Sequence, residues 1–440
     1  MVAAAHSGAG KTTVSSLICA GLNAQGLRVQ PFKLGPDYLD PTHLGHAARV
    51  KARNLDSYLL PPERLKQLFH AGAVQAEVSV LEGVMGLFDG KSPLSDEHST
   101  ADLARLLKCP VVLVLDASGT ARTIAAIAQG LMQFAQDMDI CGVILNRVGS
   151  ERHAELCKMA LSQQGIRCFG HLTRQPELHL PGRHLGLLGA QEHALSHEVL
   201  FQTCSTLDLE GLLEVARSAL PLEVPPETTK PMGQVRLGIA QDEAFSFYYQ
   251  DALDLLERLG ATLVPFSPLR DPELPVCDGL LIGGGYPEVH AAKLSENQSM
   301  QESIRQFAAQ GHPVVAECGG LMYLSEQVTT KEGQVFGMCG VVPYRTAMTG
   351  KLTLGYREVT FLQDTPLGLA GTQVRGHEFH HSSLTHEAFQ PAYRTEHGPE
   401  GYACGNVLAS YVHLHHAGFP ALARHFVQAL MEKSCVPMNR

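Results

Sequence analysis

Short apolar runs bounded by polar residues recur along the 440-residue chain, with amphipathic stretches between them. Near the N-terminus Val14, Leu17, Ile18 and Leu22 recur at helical spacing, and Gly26 offers that helix a C-terminal stop. Compact apolar runs follow at 78–81, 111–115 and 143–145, each ending at a polar residue. Strands without a polar face, joined by helices, predict a parallel sheet covered on both sides. Residues 221–233 break the pattern: they carry Pro225, Pro226 and Pro231 with few apolar side chains and read as a linker. The alternation then restarts, with strands expected at 235–240, 263–266, 280–282 and 314–316 and a helix around 253–259. From 334 to 361 the chain is glycine-punctuated and β-branched, which predicts antiparallel strands, and a last helix is expected over about 421–431. The reading is α/β in both halves: a first domain over 1–195, a helix and Pro-rich linker over 196–233, and a second domain over 234–437.

Composition narrows the class. A hydrophobic content of 45% against 18% charged residues fits a globular protein with sizeable cores. The net charge of −10 argues against a nucleic-acid protein, whose footprint is basic. No apolar run reaches the ~18 residues that span a membrane, and the N-terminus lacks the pattern of a signal peptide. The eleven cysteines are scattered without CxxC pairing, which suits reduced thiols better than a disulfide framework. A soluble, cytoplasmic enzyme is expected.

Two constellations carry chemistry. The first is Ser7-Gly8-Ala9-Gly10-Lys11-Thr12-Thr13, between a short apolar start and the first helix. In a P-loop, glycines let backbone N–H groups wrap phosphate, the lysine bridges the terminal phosphates, and the next hydroxyl reaches magnesium. Gly8, Gly10, Lys11, Thr12 and Thr13 are therefore candidate ATP contacts. Ala5 stands where the pattern has its first glycine, and the opening strand is short enough to suggest a start upstream of Met1. Downstream, Lys33, Asp37 and Asp40 lie in FKLGPDYLDP (32–41), and Glu82 and Asp89 in LEGVMGLFDG (81–90), each segment following an apolar run. Carboxylates at the C-terminal ends of parallel strands sit where open α/β sheets bind ligands, and there they can hold magnesium beside the P-loop. Asn146, which ends the run 143–145 beside Arg147, serves either a purine or the cap of its own loop.

The second constellation is a strand running through Glu317-Cys318-Gly319-Gly320 into a helix, a corner like a nucleophile elbow with sulfur in place of oxygen. A helix N-terminus favours the thiolate, and a histidine completes its activation. His413, closing the strand-like run 409–412, is the natural base. The turn Gly283-Gly284-Gly285 can offer the backbone N–H of Gly284, which with that of Gly319 would form an oxyanion hole. His377, His380 and His381, and likewise His413, His415 and His416, invite a zinc reading, but their spacings match none of the usual sites. Substrate contact or hydrogen-bonded packing is the better expectation for the His377 cluster.

With these residues in view, nearly the whole chain resembles the cobyrinic (or hydrogenobyrinic) acid a,c-diamide synthases of the cobalamin pathway. The carriers are SGAGKTT, FKLGPDYLDPTHLG, LEGVMGLFDG, IGGGYPE, AECGGLMYL, RGHEFHHS and ASYVHLH, in that order. The resemblance implies a P-loop, doubly wound parallel sheet similar to dethiobiotin synthetase, followed by a class I glutamine amidotransferase domain. It also implies that ATP phosphorylates the c and then the a acetate of the corrin ring, and that glutamine-derived ammonia displaces phosphate. On this likeness Lys11 and Lys33 neutralise phosphate, and Thr12, Asp37 and Glu82 surround Mg2+. Tyr38, Leu39, Asp40 and Asp89 line the tetrapyrrole, Cys318 forms a thioester, and His413 is base and acid. ATP, glutamine and a tetrapyrrole polycarboxylate are the expected partners, and a homodimer is compatible with the reading. Many class I glutaminases carry Glu two residues after the histidine; here His415 stands there, which leaves the third triad member open. The nickel-sirohydrochlorin a,c-diamide synthases and cobyric acid synthases share this architecture. A different class, a P-loop ATPase switch with a vestigial glutaminase domain, is opposed by intact Cys318 and His413.

Overall fold

In the computed structural model the chain divides into two compact units, Met1–Glu227 and Thr228–Arg440. It describes residues 1–134, 136–183, 186–227, 229–384 and 390–434, so the expected end of the second domain at 435–437 lies outside them. Among the described residues no helix is long and apolar enough to cross a membrane, and the cysteines are free thiols.

The first unit is built on β1 (Val2–Ala4), β2 (Val29–Leu34), β3 (Arg53–Leu55), β4 (Val78–Glu82), β5 (Val111–Asp116), β6 (Ile140–Val148) and β7 (Cys168–Thr173). They pair in the order β3-β2-β4-β1-β5-β6-β7, and every pairing is parallel. The connection from β1 to β2 passes over β4, and that from β4 to β5 passes back over β1. The chain thus reverses its winding beside β1, which is where such sheets open a ligand crevice. The helices are α1 (Lys11–Ala24), α2 (Asp40–Ala48), α3 (Pro62–Ala73), α4 (Thr100–Leu106), α5 (Thr123–Phe134), α6 (Glu151–Gln163), α7 (His197–Cys204) and α8 (Leu209–Arg217). Alternation along the strands sorts them. Val112, Val114 and Ile144 meet α1, α2, α7 and α8, while Leu113, Leu115, Val143 and Leu145 meet α4, α5 and α6.

Helix α1 is buried on almost every side, because the sheet covers one flank and α7 and α8 cover the other. It ends as its sequence predicts: Gly26 takes φ 88° and donates its N–H to Asn23 O at 2.9 Å. The stretch read as one helix before the Pro-rich segment is two, the second capped by Asp208 Oδ1, which accepts from Gly211 N at 2.9 Å. The prolines that follow are tied down. Gln67 of α3 donates to Pro225 O (3.3 Å) and Pro226 O (3.2 Å), and Arg64 pairs with Glu227 at 2.8 Å.

The second unit has a six-stranded sheet in the order Ala261–Phe266, Val235–Ala240, Gly279–Ile282, Val314–Glu317, Val407–Ser410, Tyr402–Cys404. Its first four pairings are parallel and the last is antiparallel. Beside it runs the long hairpin Arg345–Phe361/Gln373–Leu384, whose second strand pairs with His413–Leu414 so that His377 lies opposite His413.

The corner after Val314–Glu317 is pinned on both sides. Cys318 N donates to Ser410 O at 2.6 Å, and the helix Gly319–Leu324 that follows lies on the strand Gly279–Ile282. The approach is close enough that a Cβ on Gly320 would sit 2.2 Å from Ile282 O, with backbone unable to yield. Gly320→Ala is therefore expected to destabilise the protein by about 1–3 kcal/mol, the usual cost of overpacking. Urea denaturation measures the loss, and slower alkylation of Cys318 would report displacement of the corner.

Candidate active sites

The first site lies in the first unit, at the C-terminal edge of its sheet. Gly8 and Gly10 take φ 77° and 96°, conformations that glycine adopts without strain. Ala5 is not among the left-handed residues, so its methyl group costs the loop no backbone strain. Asn146 holds the loop from β6: its amide donates to Ala9 O at 2.8 Å, and its Oδ1 accepts from Arg147 N at 2.9 Å. Of the two roles open for Asn146, these contacts belong to loop support. A Cβ on Gly10 would lie 2.1 Å from the Asn146 amide nitrogen.

Behind the loop, Lys33 from β2 donates to Asp40 Oδ2 (2.5 Å) and to Glu82 Oε1 (2.6 Å). Thr12 Oγ1 donates to the same Glu82 oxygen at 2.8 Å. Lys33 is 4% exposed and Glu82 not at all, so the groups interact at low dielectric. Burial would lower the Lys33 ammonium, yet Asp40, Glu82 and Asp37 hold it above its ordinary value. Burial pushes Glu82 up against the pull of Lys33, and Glu82 Oε2 has no hydrogen-bond partner. Burial and then the Asp40 charge push Asp37 up to about 7. For Asp40 burial acts upward too, but Lys33 outweighs it and holds the group low. The last proton of the pair is therefore exchanged near neutrality, and Lys33 draws the charge toward Asp40. Lys11 is lowered to about 8 by burial and by Lys33, and it donates to Met85 O.

These groups line a cavity of about 1170 Å³, whose lining also includes Ser118, Arg147, Arg174, Gln175 and His179. Arg174 and His179 were not singled out in the sequence; no apolar run or motif marks them, and only the fold brings them to the cavity. Among the residues expected to meet a tetrapyrrole, Asp40 lines the cavity. Tyr38 is half-buried and Leu39 buried. Leu39 caps the start of α2, and its N–H donates to Asp37 Oδ1 at 2.8 Å. Asp89 is exposed and accepts from Gly86 N at 3.0 Å.

The second site lies wholly in the second unit. Cys318 sits at φ 51°, ψ −103°, a left-handed conformation that a non-glycine residue adopts only when its surroundings enforce it. It is 6% exposed, and His413 is 1% exposed. Burial alone would lower the His413 imidazole, but its contacts with Cys318 and then Glu317 outweigh that and raise it to about 10. On the other side of His413, a Cβ on Gly284 would sit 2.7 Å from its Cε1. The N–H of Gly283 is donated to Tyr248 Oη at 2.8 Å. The backbone nitrogen of Gly285 comes within 3.0 Å of where a Gly319 Cβ would stand.

Glu317, the residue before Cys318, was named in the sequence only as part of its motif. Its Oε2 lies 3.7 Å from His413 Nδ1, its Oε1 3.6 Å from His416 Nε2, and Leu414 N donates to Oε1 at 3.2 Å. Burial would raise this carboxyl, but His413 and His416 hold it at about 2. The remaining histidines pack by stacking and hydrogen bonding. His377 stacks on His413 (4.9 Å between centroids) and hydrogen-bonds Tyr249 Oη at 2.6 Å. His415 stacks on Tyr249 at 4.3 Å and His380 on Tyr411 at 4.0 Å. Among the described residues no group of three or more His, Cys, Asp or Glu side chains is arranged to hold a metal ion.

Residues 1–188 match the CobQ/CobB/MinD/ParA nucleotide binding domain, and residues 236–421 match the CobB/CobQ-like glutamine amidotransferase domain. Three curated relatives, each named cobyrinate a,c-diamide synthase, align over nearly the full length. The protein of Syntrophotalea carbinolica is 43% identical, with 97% of this chain and 97% of that one aligned. The Synechococcus sp. protein is 42% identical over 99% of each chain. The Synechocystis sp. protein is 42% identical over 94% of this chain and 90% of its own. A P-loop α/β unit followed by a Cys–His elbow unit, matched at this identity from end to end, identifies the chain as a member of the cobyrinate a,c-diamide synthase family.

Proposed function

We propose that this chain is an ATP-driven, glutamine-dependent ligase that amidates the a and c acetate carboxylates of cobyrinic or hydrogenobyrinic acid in cytoplasmic cobalamin biosynthesis. The observation that carries this reading is the pairing, within one chain, of a lysine- and carboxylate-lined P-loop cavity with a histidine-faced cysteine on an elbow. A carboxylate is a poor electrophile. ATP makes it an acyl phosphate: a carboxylate oxygen attacks the γ-phosphorus and ADP leaves. Ammonia then attacks the acyl carbon and gives up a proton, and phosphate departs with the C–O electrons.

In this reading the first unit is the amidoligase domain and the second the glutaminase. The Gly8 and Gly10 turns open backbone N–H groups to phosphate, and Lys11, with Thr13 beside it, meets the terminal phosphates. Phosphate raises Lys11 again, so the lysine stays charged through the transfer. Lys33 acts from behind, keeping Asp40 ionised and opposing the burial that pushes Glu82 up where the phosphoryl group passes. The buried Oε2 of Glu82, without a partner, and the adjacent Thr12 hydroxyl fit a magnesium ion, with Asp37 as a further oxygen donor. Bound there, the ion would offset charge on the phosphates. Asp40 and Asp89, with Tyr38 and Leu39, shape the tetrapyrrole side of the site, and Arg147 and Arg174 supply cations for its other carboxylates.

At the elbow, the Cys318 sulfur attacks the glutamine amide carbon. His413 passes its proton to the departing ammonia and then draws one from the water that hydrolyses the thioester. The N–H of Gly319 and the Gly284–Gly285 turn face the oxyanion.

Cys318→Ser should cut glutamine-dependent amidation by about three orders of magnitude or more, as loss of a nucleophile does, while amidation from added ammonia persists. Ammonia release from glutamine by the variant, assayed with ATP and tetrapyrrole present, would refute the assignment. Mass spectrometry of products from cobyrinic, hydrogenobyrinic and nickel-sirohydrochlorin substrates should show two ATP-dependent amidations on a cobyrinic-type acid. Because Asp37 is pushed up to about 7, Mg-ATP must displace its proton. Affinity should then fall as pH drops below about 7, by up to about tenfold per unit. Titration calorimetry at pH 6 and pH 8 measures this, and Asp37→Asn should flatten the dependence.

A further inference from the structure

We infer that Glu317 is the carboxylate that positions His413, taking over from the strand side the place that His415 leaves without an acid. The inference rests on the reading of Cys318 and His413 as nucleophile and base. Three observations support it. Glu317 Oε2 faces the Nδ1 side of His413 at 3.7 Å, which leaves the other ring nitrogen for the sulfur. The carboxylate is itself held in place: it accepts from Leu414 N at 3.2 Å, and His416 Nε2 stands 3.6 Å from its other flank. The other buried carboxylates nearby are engaged elsewhere. Glu378 is paired with Arg357 at 2.6 Å, and Glu400 accepts from Ser410 Oγ (2.6 Å) and Tyr411 N (2.7 Å).

The geometry also explains why sequence spacing does not reveal this residue. In the usual arrangement the acid follows the histidine by two positions along one strand. Here that position is filled by His415 stacked on Tyr249, and the carboxylate comes from the end of the strand Val314–Glu317, one residue before the nucleophile. The strained turn at Cys318 sends sulfur and carboxylate to the same imidazole from adjacent positions. A separation of 3.7 Å is loose for a hydrogen bond, but catalytic contacts often tighten only when substrate is bound.

Removing the charge should weaken the imidazolium without removing the nucleophile. The groups facing His413 are Cys318 from the elbow, Glu317 from its strand, His377 and His380 from the hairpin, and His415 and His416 from its own segment. Glu317 is the fixed negative charge in that set. Its loss should move the alkaline limb of the glutaminase pH profile, where His413 gives up its proton, to lower pH.

The test uses the full-length enzyme with Glu317→Gln and Glu317→Asp, assaying glutamine hydrolysis across pH 6 to 10 with ATP and tetrapyrrole present. Glu317→Gln should lower kcat by about 10–100-fold, the range seen when a partner of an active histidine is lost, with little change in KM for glutamine. Its alkaline limb should shift to lower pH, and Glu317→Asp should recover part of both effects. Unchanged kcat and an unmoved limb in a folded Glu317→Gln protein would overturn the inference. So would equal losses in both variants with the limb unmoved, which would mark a packing role. If Glu317→Gln does not fold, Glu317→Asp decides: a limb moved to lower pH supports the positioning role, and an unmoved limb overturns it. Cys318→Ala is run alongside, because retained hydrolysis there would sink the underlying nucleophile assignment instead.

Discussion

A buried ammonium shared by two carboxylates fixes the first unit's working edge. Lys33 comes from β2, Glu82 from the end of β4 and Asp40 from the start of α2, and the three meet where the sheet reverses its winding. Burying these charges is costly, and the cluster persists because each charge answers another. Its arrangement also leaves something over. One oxygen of Glu82 has no hydrogen-bond partner, and Asp37 carries a proton close to neutrality. A fully neutralised cluster would be inert. This one is satisfied enough to fold, yet it keeps an open oxygen and an exchangeable proton facing the cavity.

The second unit solves a similar problem with geometry. Its Cys318 stands on a turn that is unfavourable for a side chain, and that turn is enforced by a hydrogen bond to the neighbouring strand and by glycines too tightly packed to bear a Cβ. The sulfur, the imidazole and a carboxylate are all largely buried there, where charges act strongly.

Much of this was legible in the sequence, and the exceptions have physical causes. The apolar run 235–240 is the strand Val235–Ala240, because a doubly covered parallel strand has nothing but apolar side chains to show. The run 143–145 understates its strand, which spans Ile140–Val148. Gly142 and Asn146 interrupt the hydrophobic text, yet they continue the pairing with β5 opposite Val112 and Asp116. The P-loop, the Cys318 corner and His413 could be read because their chemistry is written in consecutive residues. Glu317 and the Arg174–His179 wall could not. A contact made by a bend, or by loops converging from separate strands, leaves no periodic trace.

The contact between Gly10 and Asn146 reaches beyond catalysis. Nothing but hydrogen fits on Gly10 while the Asn146 amide stands where a methyl group would go, although the two positions are 136 residues apart. A side chain at position 10 would meet that amide and would also have to adopt φ 96°, and shortening Asn146 would release Ala9. Ala5 carries no such obligation. In a lineage of these enzymes, position 10 should therefore stay glycine even where position 146 shortens, whereas the first glycine position of the loop is open to alanine.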